Sequence, residues 1–206
     1  MDNNIRTHFS RNDPVIYRLL SQLEKQGISI TVQRSSDYFS DLCEAIVNQQ
    51  LSEKAGRTIY NRFLDLIPGR SVTPVSVSLL SDEHIRGAGV SWSKVRYIKS
   101  LATSFIDRHI DFDHLHTLSD DDVLSSLTTL HGIGRWSAEM FLMFSLAREN
   151  IFSFGDAGLR RAIILAYAFK KAPTVKQIEK ITHKWSPYKT YACRVLWQSL
   201  DRKILT

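Results

Sequence analysis

TTLHGIGRWSAEMFLMFSLARENIFSFGDAGLRRAI, residues 128–163, places a Gly-Ile-Gly turn between two helical patterns, then an apolar helix, then one acidic residue at the start of the next helix. Gly132 and Gly134 have access to backbone angles closed to other residues, so their amides can converge on one point. Arg135 opens a helix whose first amides lack intrahelical partners and whose dipole is positive at that end. Such a turn accepts a phosphate oxygen, because no side chain blocks its approach. Taken alone, the turn also reads as an ordinary corner between helices, and Asp156 as an ordinary N-cap. Together they join a phosphate cradle and a lone carboxylate by one helix.

Outward from this stretch the periodicity is helical throughout. Pro14 suits the first turn of a helix from about Asp13 to Gln26, and Ile28–Val32 is a brief extended segment or linker. Phe39, Leu42, Cys43, Ile46 and Val47 trace one side of a helix from Tyr38 to about Leu51; Ser52 caps the next, which Pro68 stops. Two short pieces start near Thr73-Pro74 and after Ser81, and a long helix runs from Lys94 to Ile110. Ser119 caps another, with Asp120, Asp121 and Asp122 complementing its dipole rather than holding a metal. Helix 135–148 is apolar almost all round and belongs at a domain centre. Helices follow over Ala157–Lys170, from Thr174 to Trp185, and from Pro187 to about Arg202. No stretch sustains strand alternation, so the expected fold is all-α, ten or so helices in two lobes with a cleft between them. Residues 37–155 form the central lobe, with the hairpin at about 119–148; residues 1–36 and 156–206 form the terminal lobe.

Composition narrows the function classes. Hydrophobic residues are 43% and charged residues 23%, as in soluble globular proteins. A net charge of +6 suits a polyanionic partner without requiring one. The amino terminus lacks an apolar signal run, and no apolar segment reaches spanning length. Cys43 and Cys193 lie in apolar helical patterns and read as buried reduced thiols; two cysteines cannot hold a four-cysteine iron–sulfur cluster. The histidines show no zinc-like spacing.

LHGIGRWSA resembles the helix-hairpin-helix of the DNA glycosylase superfamily named for that hairpin and its Gly/Pro-rich loop with Asp, and FSFGDAGLRR resembles the loop and the aspartate. AIVNQQLSEKAGRTIYNRF (45–63), IRGAGVSWSKVRYIKSLA (85–102) and WSPYKTYACRVLW (185–197) are similar to further family segments, in the family order. The resemblance covers about residues 38–200 and is close enough to name the monofunctional 3-methyladenine DNA glycosylase II family. It implies a two-lobed helical fold with a DNA-binding cleft. The activity it implies is release of alkylated purines, 3-methyladenine or 7-methylguanine, from double-stranded DNA during base excision repair, by a monomer in the cytoplasm of a bacterium or the nucleus of a eukaryote. An amino-terminal β-rich domain, frequent in prokaryotic members, is expected to be missing or vestigial.

Carried onto this chain, the resemblance implies specific roles. A base must be turned out of the duplex before its glycosidic bond can be reached. Gly132, Ile133, Gly134, Arg135 and Ser137 would clamp the backbone, and the carbonyls of Thr128, Leu130 and Ile133 would hold a sodium or potassium ion. Gln50, with Leu51 beside it, would fill the vacated space, or else Gln50 merely hydrogen-bonds across a helix junction. Trp136, Trp197 and Tyr188 would wall the base pocket, where a cationic alkylpurine gains from stacking, though core packing also explains such aromatics. Met140 and Ala157 stand where the bacterial inducible enzyme has tyrosines. Asp156 would stabilise oxocarbenium character on the sugar. Relatives that also cut the strand have a Schiff-base lysine where this chain has Trp136, which implies no lyase step and no catalytic cofactor. A glycosylase for uracil, hypoxanthine or an oxidised purine, and a non-catalytic hairpin module, are the competing readings.

Overall fold

The computed structural model describes residues 2–205, apart from the side chains of residues 53 and 113. Through them run α1 (Asn3–Asn12), α2 (Pro14–Lys25), α3 (Tyr38–Asn48), α4 (Glu53–Asp65), α5 (Pro74–Leu79), α6 (Asp82–Gly87), α7 (Trp92–Ile106), α8 (Asp120–Thr128), α9 (Arg135–Phe144), α10 (Ala157–Ala166), α11 (Val175–His183) and α12 (Lys189–Asp201), with short 3-10 turns at Pro68–Arg70 and Phe112–Thr117. Among the described residues there is no strand and no helix long and apolar enough to cross a membrane. Ten of these twelve helices start behind an Asp, Ser or Thr whose side-chain oxygen accepts a first-turn amide. The two exceptions are α9, behind Gly134, and α12, behind Tyr188. An uncapped helix start leaves amides for water or a ligand.

The chain divides into a central unit, residues 34–146, and a terminal unit, residues 1–33 with 147–206. Phe39, Leu42 and Ile46 of α3 are buried in the central unit with Phe63 of α4 and Val95, Ile98 and Leu101 of α7. In the terminal unit α12 packs on α2 and α10, burying Leu19, Leu20 and Leu23 with Ile163, Val195 and Leu196. Residues 147–155 go with the terminal unit rather than the central lobe expected for them. The reason is hydrogen bonding: Thr190 of α12 donates its amide to the Glu149 carbonyl (2.9 Å) and its hydroxyl accepts the Ile151 amide (3.1 Å), while the Tyr191 hydroxyl reaches Glu149 Oε1 (2.8 Å).

Several helix limits differ from the periodicity. A whole helix, α1, precedes the first expected one; Asp2 caps it, and Ile5 and Phe9, four residues apart, are its buried points. Helices α7, α9 and α10 stop before the expected Ile110, Arg148 and Lys170. Helices α7 and α10 each close in a left-handed residue other than glycine, Arg108 (φ 53°) and Ala168 (φ 52°), while α9 stops at its C-cap Ser145, two residues before the left-handed Ala147 (φ 57°). The amides of His109 and Phe169, which follow Arg108 and Ala168, return to the carbonyls of Ser104 and Ile164; in α9 the Ser145 and Leu146 amides, ahead of Ala147, share the Phe141 carbonyl. This closure satisfies the last carbonyls of a helix without the glycine that would announce it. Cys43 and Cys193 are both buried and unpaired, and burial pushes each thiol well above its usual range.

Asp13 anchors the terminal unit. Its side chain is buried, and Oδ1 accepts the Val15 (3.1 Å) and Ile16 (3.2 Å) amides that start α2. Oδ2 accepts the Tyr167 hydroxyl (2.5 Å) and the Trp185 indole (2.9 Å). Burial, and secondarily the Asp13 charge, hold the Tyr167 phenol far above the ordinary tyrosine range. Removing the carboxylate strands two buried donors and a helix start, each costing about 1–3 kcal/mol. Asp13→Ala is therefore expected to lose at least about 3 kcal/mol in urea unfolding, and Asp13→Asn, which keeps the cap, distinctly less. Equal midpoints for Asp13→Ala and the wild type would show that this network is not what holds the unit.

Candidate functional site

The corner between α8 and α9 is built around one glycine. Gly132 has φ +90°, and a Cβ added there would stand 2.3 Å from Cγ of Tyr97. Both backbone angle and space demand glycine. Gly134 differs from expectation: its φ of −90° and ψ of 174° suit any residue, and a Cβ there meets nothing within 4 Å. Its value is openness, since at the start of α9 it supplies no cap and carries no side chain of its own. Leu130 and Ile133 are buried and anchor the turn from below, the Ile133 amide donating to the Leu130 carbonyl (3.0 Å). Arg135 is exposed, and its Nε donates to the buried Glu139 carboxylate at 2.9 Å.

Ser137 does not face solvent. It is buried, and its hydroxyl accepts Nε2 of Gln49 at 3.3 Å. The same Nε2 donates to the Gly132 carbonyl at 2.9 Å, tying the hairpin to the α3–α4 loop. That loop is held from α7, where the Lys94 ammonium donates to the carbonyls of Val47 (2.8 Å) and Gln49 (2.7 Å). Partial burial lowers the Lys94 ammonium below the usual lysine range. Thus α7 supplies both the Tyr97 ring beneath Gly132 and the Lys94 tether. Gln50 follows in a left-handed conformation (φ 57°), and it and Leu51 are exposed. An open groove of about 940 Å³ is lined by Gln50 and Leu51 on one side and by Thr128, Leu130, His131 and Gly134 on the other. The sequence reading passed over Gln49, Lys94 and Tyr97 because their work is done by contacts distant in the chain. Only the quoted Gln-Gln pair and lysine-bearing helix pointed towards them.

The carboxylate belongs to the terminal unit. Asp156 is the N-cap of α10; its Oδ1 accepts the Leu159 amide (2.7 Å) and the Trp197 indole N–H (3.1 Å). Nine per cent of the residue's surface remains exposed, so it is largely buried but not sealed. Gly158 makes room for the pair: a Cβ there would stand 3.1 Å from Asp156 Oδ1 and 3.4 Å from the Trp197 nitrogen.

Tyr188 is not brought to this carboxylate. It is the N-cap of α12, nine positions before Trp197. There it meets His8 (ring centroids 5.2 Å) and Tyr191 (6.0 Å) edge-on. Trp136 and Met140 sit on α9 in the central unit, and the helix is less buried than its composition suggested: Trp136 is 44% exposed and Phe144 45%. Met140 lines a cavity of about 400 Å³ with Asp41, Glu44, Asn48 and Phe144, where burial and then the Asp41 charge raise the Glu44 carboxyl above its usual range.

With this geometry in hand, the chain compares closely with known proteins. Residues 43–187 match the HhH-GPD superfamily of base excision DNA repair proteins. A DNA-3-methyladenine glycosylase of Saccharomyces cerevisiae is 30% identical, over 89% of this chain and 69% of that one. The crystal structure of a DNA-3-methyladenine glycosidase from Bacillus halodurans aligns with a TM-score of 0.80 at 32% identity, covering 96% of this chain and 89% of that one. The Schizosaccharomyces pombe 3-methyladenine DNA glycosylase, solved in complex with abasic DNA, gives 0.85 at 28% identity over 97% of both chains.

The two glycines should respond oppositely to alanine. Gly132→Ala forces a left-handed alanine into the Tyr97 ring and is expected to cost about 2 kcal/mol or more in unfolding. Gly134→Ala should fold within about 1 kcal/mol of the wild type yet bind a duplex oligonucleotide about tenfold more weakly, since a methyl now covers the amides. Fluorescence anisotropy at fixed salt reads the second effect; unchanged affinity would mean that the bare helix start is not a phosphate site.

Proposed function

The chain belongs to the HhH-GPD superfamily of base excision DNA repair proteins, and from that membership we propose that it is a monofunctional DNA glycosylase releasing alkylated purines from duplex DNA. The observation that carries the chemistry is the Asp156 carboxylate, fixed at the start of α10 by the Leu159 amide and the Trp197 indole. An alkylated purine such as 3-methyladenine is already cationic. Its bond to C1′ breaks with the electron pair going to the base, which leaves neutral, while positive charge develops on the sugar. A carboxylate held in position stabilises that charge without reorganising. Water then adds to C1′, and its proton passes to Asp156 or to solvent, leaving an abasic site in an intact strand. Trp197, whose indole is oriented by the same carboxylate, offers an electron-rich face to a cationic base, worth about 0.5–2 kcal/mol.

DNA is held at the start of α9, where Gly134 supplies no side-chain cap, and contact with phosphate there carries no reading of sequence. Thr128, Leu130 and Ile133 line the adjoining groove, and their carbonyls, with no carboxylate among the groove residues, are the candidate ligands of a sodium or potassium ion. Such an ion would add positive charge at the phosphate. Gln50 is the residue for the space left by the turned-out nucleotide: an exposed side chain on a strained left-handed backbone at the rim of that groove. Trp136, standing where strand-cutting relatives have a lysine, supports hydrolysis without an imine. The enzyme acts as a monomer on double-stranded DNA.

Two experiments test this reading. Asp156→Asn keeps an oxygen for both donors, so it should fold and bind duplex while releasing 3-methyladenine and 7-methylguanine at least about a hundredfold more slowly, as read by chromatography of free bases. Wild-type release by that variant removes the mechanism, whereas release of uracil, hypoxanthine or an oxidised purine instead would move the substrate class. Borohydride should trap no protein–DNA adduct. For the wedge, Gln50→Gly relieves the left-handed strain and should raise stability by up to about 1 kcal/mol while slowing base release from duplex. If base release is as fast as before, Gln50 does not fill the gap.

A further inference from the structure

Formal charge is divided unequally. The terminal unit has sixteen Lys and Arg against seven Asp and Glu, +9; the central unit, which holds the hairpin, has eleven against fourteen, −3. Within the terminal unit the charge peaks at residues 170–184, where five lysines, 170, 171, 176, 180 and 184, accompany one carboxylate, Glu179. Lys176, Lys180 and Lys184 recur every fourth position along α11 and its C-cap, forming one exposed stripe about 6 Å apart per step. The opposite side buries Ile178 and Ile181.

The fold does not need this stripe. Lysines four apart on a helix repel by about 0.2–0.5 kcal/mol, and Lys176, in the first turn, opposes the helix dipole that Lys180 and the C-cap Lys184 complement. Among the described residues none of the three pairs with a carboxylate, although Glu179 lies on the same helix. The helix is secured by its apolar side and by the Thr174–Gln177 capping box. Like charges kept together on one exposed face with no carboxylate partner, on the basic unit of a protein whose hairpin unit is net negative, fit a polyanion laid along them.

We propose that the Lys176–Lys180–Lys184 face of α11 binds the phosphates of duplex DNA and supplies a large share of the salt-dependent affinity. This rests on the reading of the protein as one that acts on duplex DNA, but it concerns charge rather than base release. It assigns to α11 the sequence-independent attraction and leaves register to the hairpin amides.

The test is the slope of log K against log salt on undamaged duplex, which needs no glycosylase activity, so failure of the catalytic reading leaves it interpretable. If each lysine meets one phosphate, K176Q/K180Q/K184Q should reduce the magnitude of the slope by about 2.7 and K176R/K180R/K184R should retain it. A control, K25Q/R202Q/K203Q, removes the same charge from exposed positions elsewhere in the unit and should leave the slope alone. Circular dichroism should be unchanged in all three. A wild-type slope for K176Q/K180Q/K184Q would make the stripe a solvated face only, and an equal drop in the control would reduce the effect to bulk charge; either result overturns the proposal.

Discussion

A backbone pressed against an aromatic ring orders the hairpin. At Gly132 the chain turns with a positive φ directly over Tyr97, at a separation no Cβ could survive. Because Tyr97 and Lys94 are one turn apart on α7, the ring that supports the corner and the ammonium that grips the α3–α4 loop move as one body. Gln49 completes the arrangement by spanning from that loop to the Gly132 carbonyl. The groove rim carrying Gln50 and the rim carrying Gly134 are thereby set by shared contacts rather than by two independent loops.

Binding capacity is marked by what a helix start lacks. Where a side chain caps, as Ser119 does for α8, the first amides are already partnered. Gly134 supplies no such cap to α9. Asp156 is the contrasting case, a cap whose carboxylate is also offered for chemistry. One oxygen serves the Leu159 amide and the Trp197 indole together, which fixes the group's direction while some of its surface remains exposed. Here stability and pre-organisation use the same bonds, so a change of charge at constant shape can separate them while truncation cannot.

What the sequence disclosed follows from how local each signal is. Caps, the glycine corner and the aspartate are short-range, and they were legible: Ser52, Ser119 and Asp156 cap as expected. The ends of α7 and α10 were overrun because Arg108 and Ala168 take the left-handed closure that Gly or Asn usually provides. The polar α1 was missed because two apolar residues carry its packing. At the site, proximity in the closing segment suggested Tyr188 beside Trp197, but Tyr188 is the N-cap of α12, nine positions away, and its ring meets His8 and Tyr191. Ser137 lay within the hairpin motif yet faces inward to Gln49, a direction that depends on a neighbour more than eighty positions away.

The division of charge also bears on why a neutral corner suffices for gripping a polyanion. Amide donors act only at contact, falling off within a hydrogen-bond length, whereas lysine charges act over a Debye length of about 8–10 Å at moderate salt. A positioning element therefore gains nothing from being basic so long as attraction is provided elsewhere on the molecule. It has something to lose, because flexible cations would bind phosphate in many geometries and blur the register that a rigid glycine corner imposes. A net charge of −3 on the unit that carries the hairpin is thus compatible with its role. The overall +6 is the sum over two units with different physical tasks.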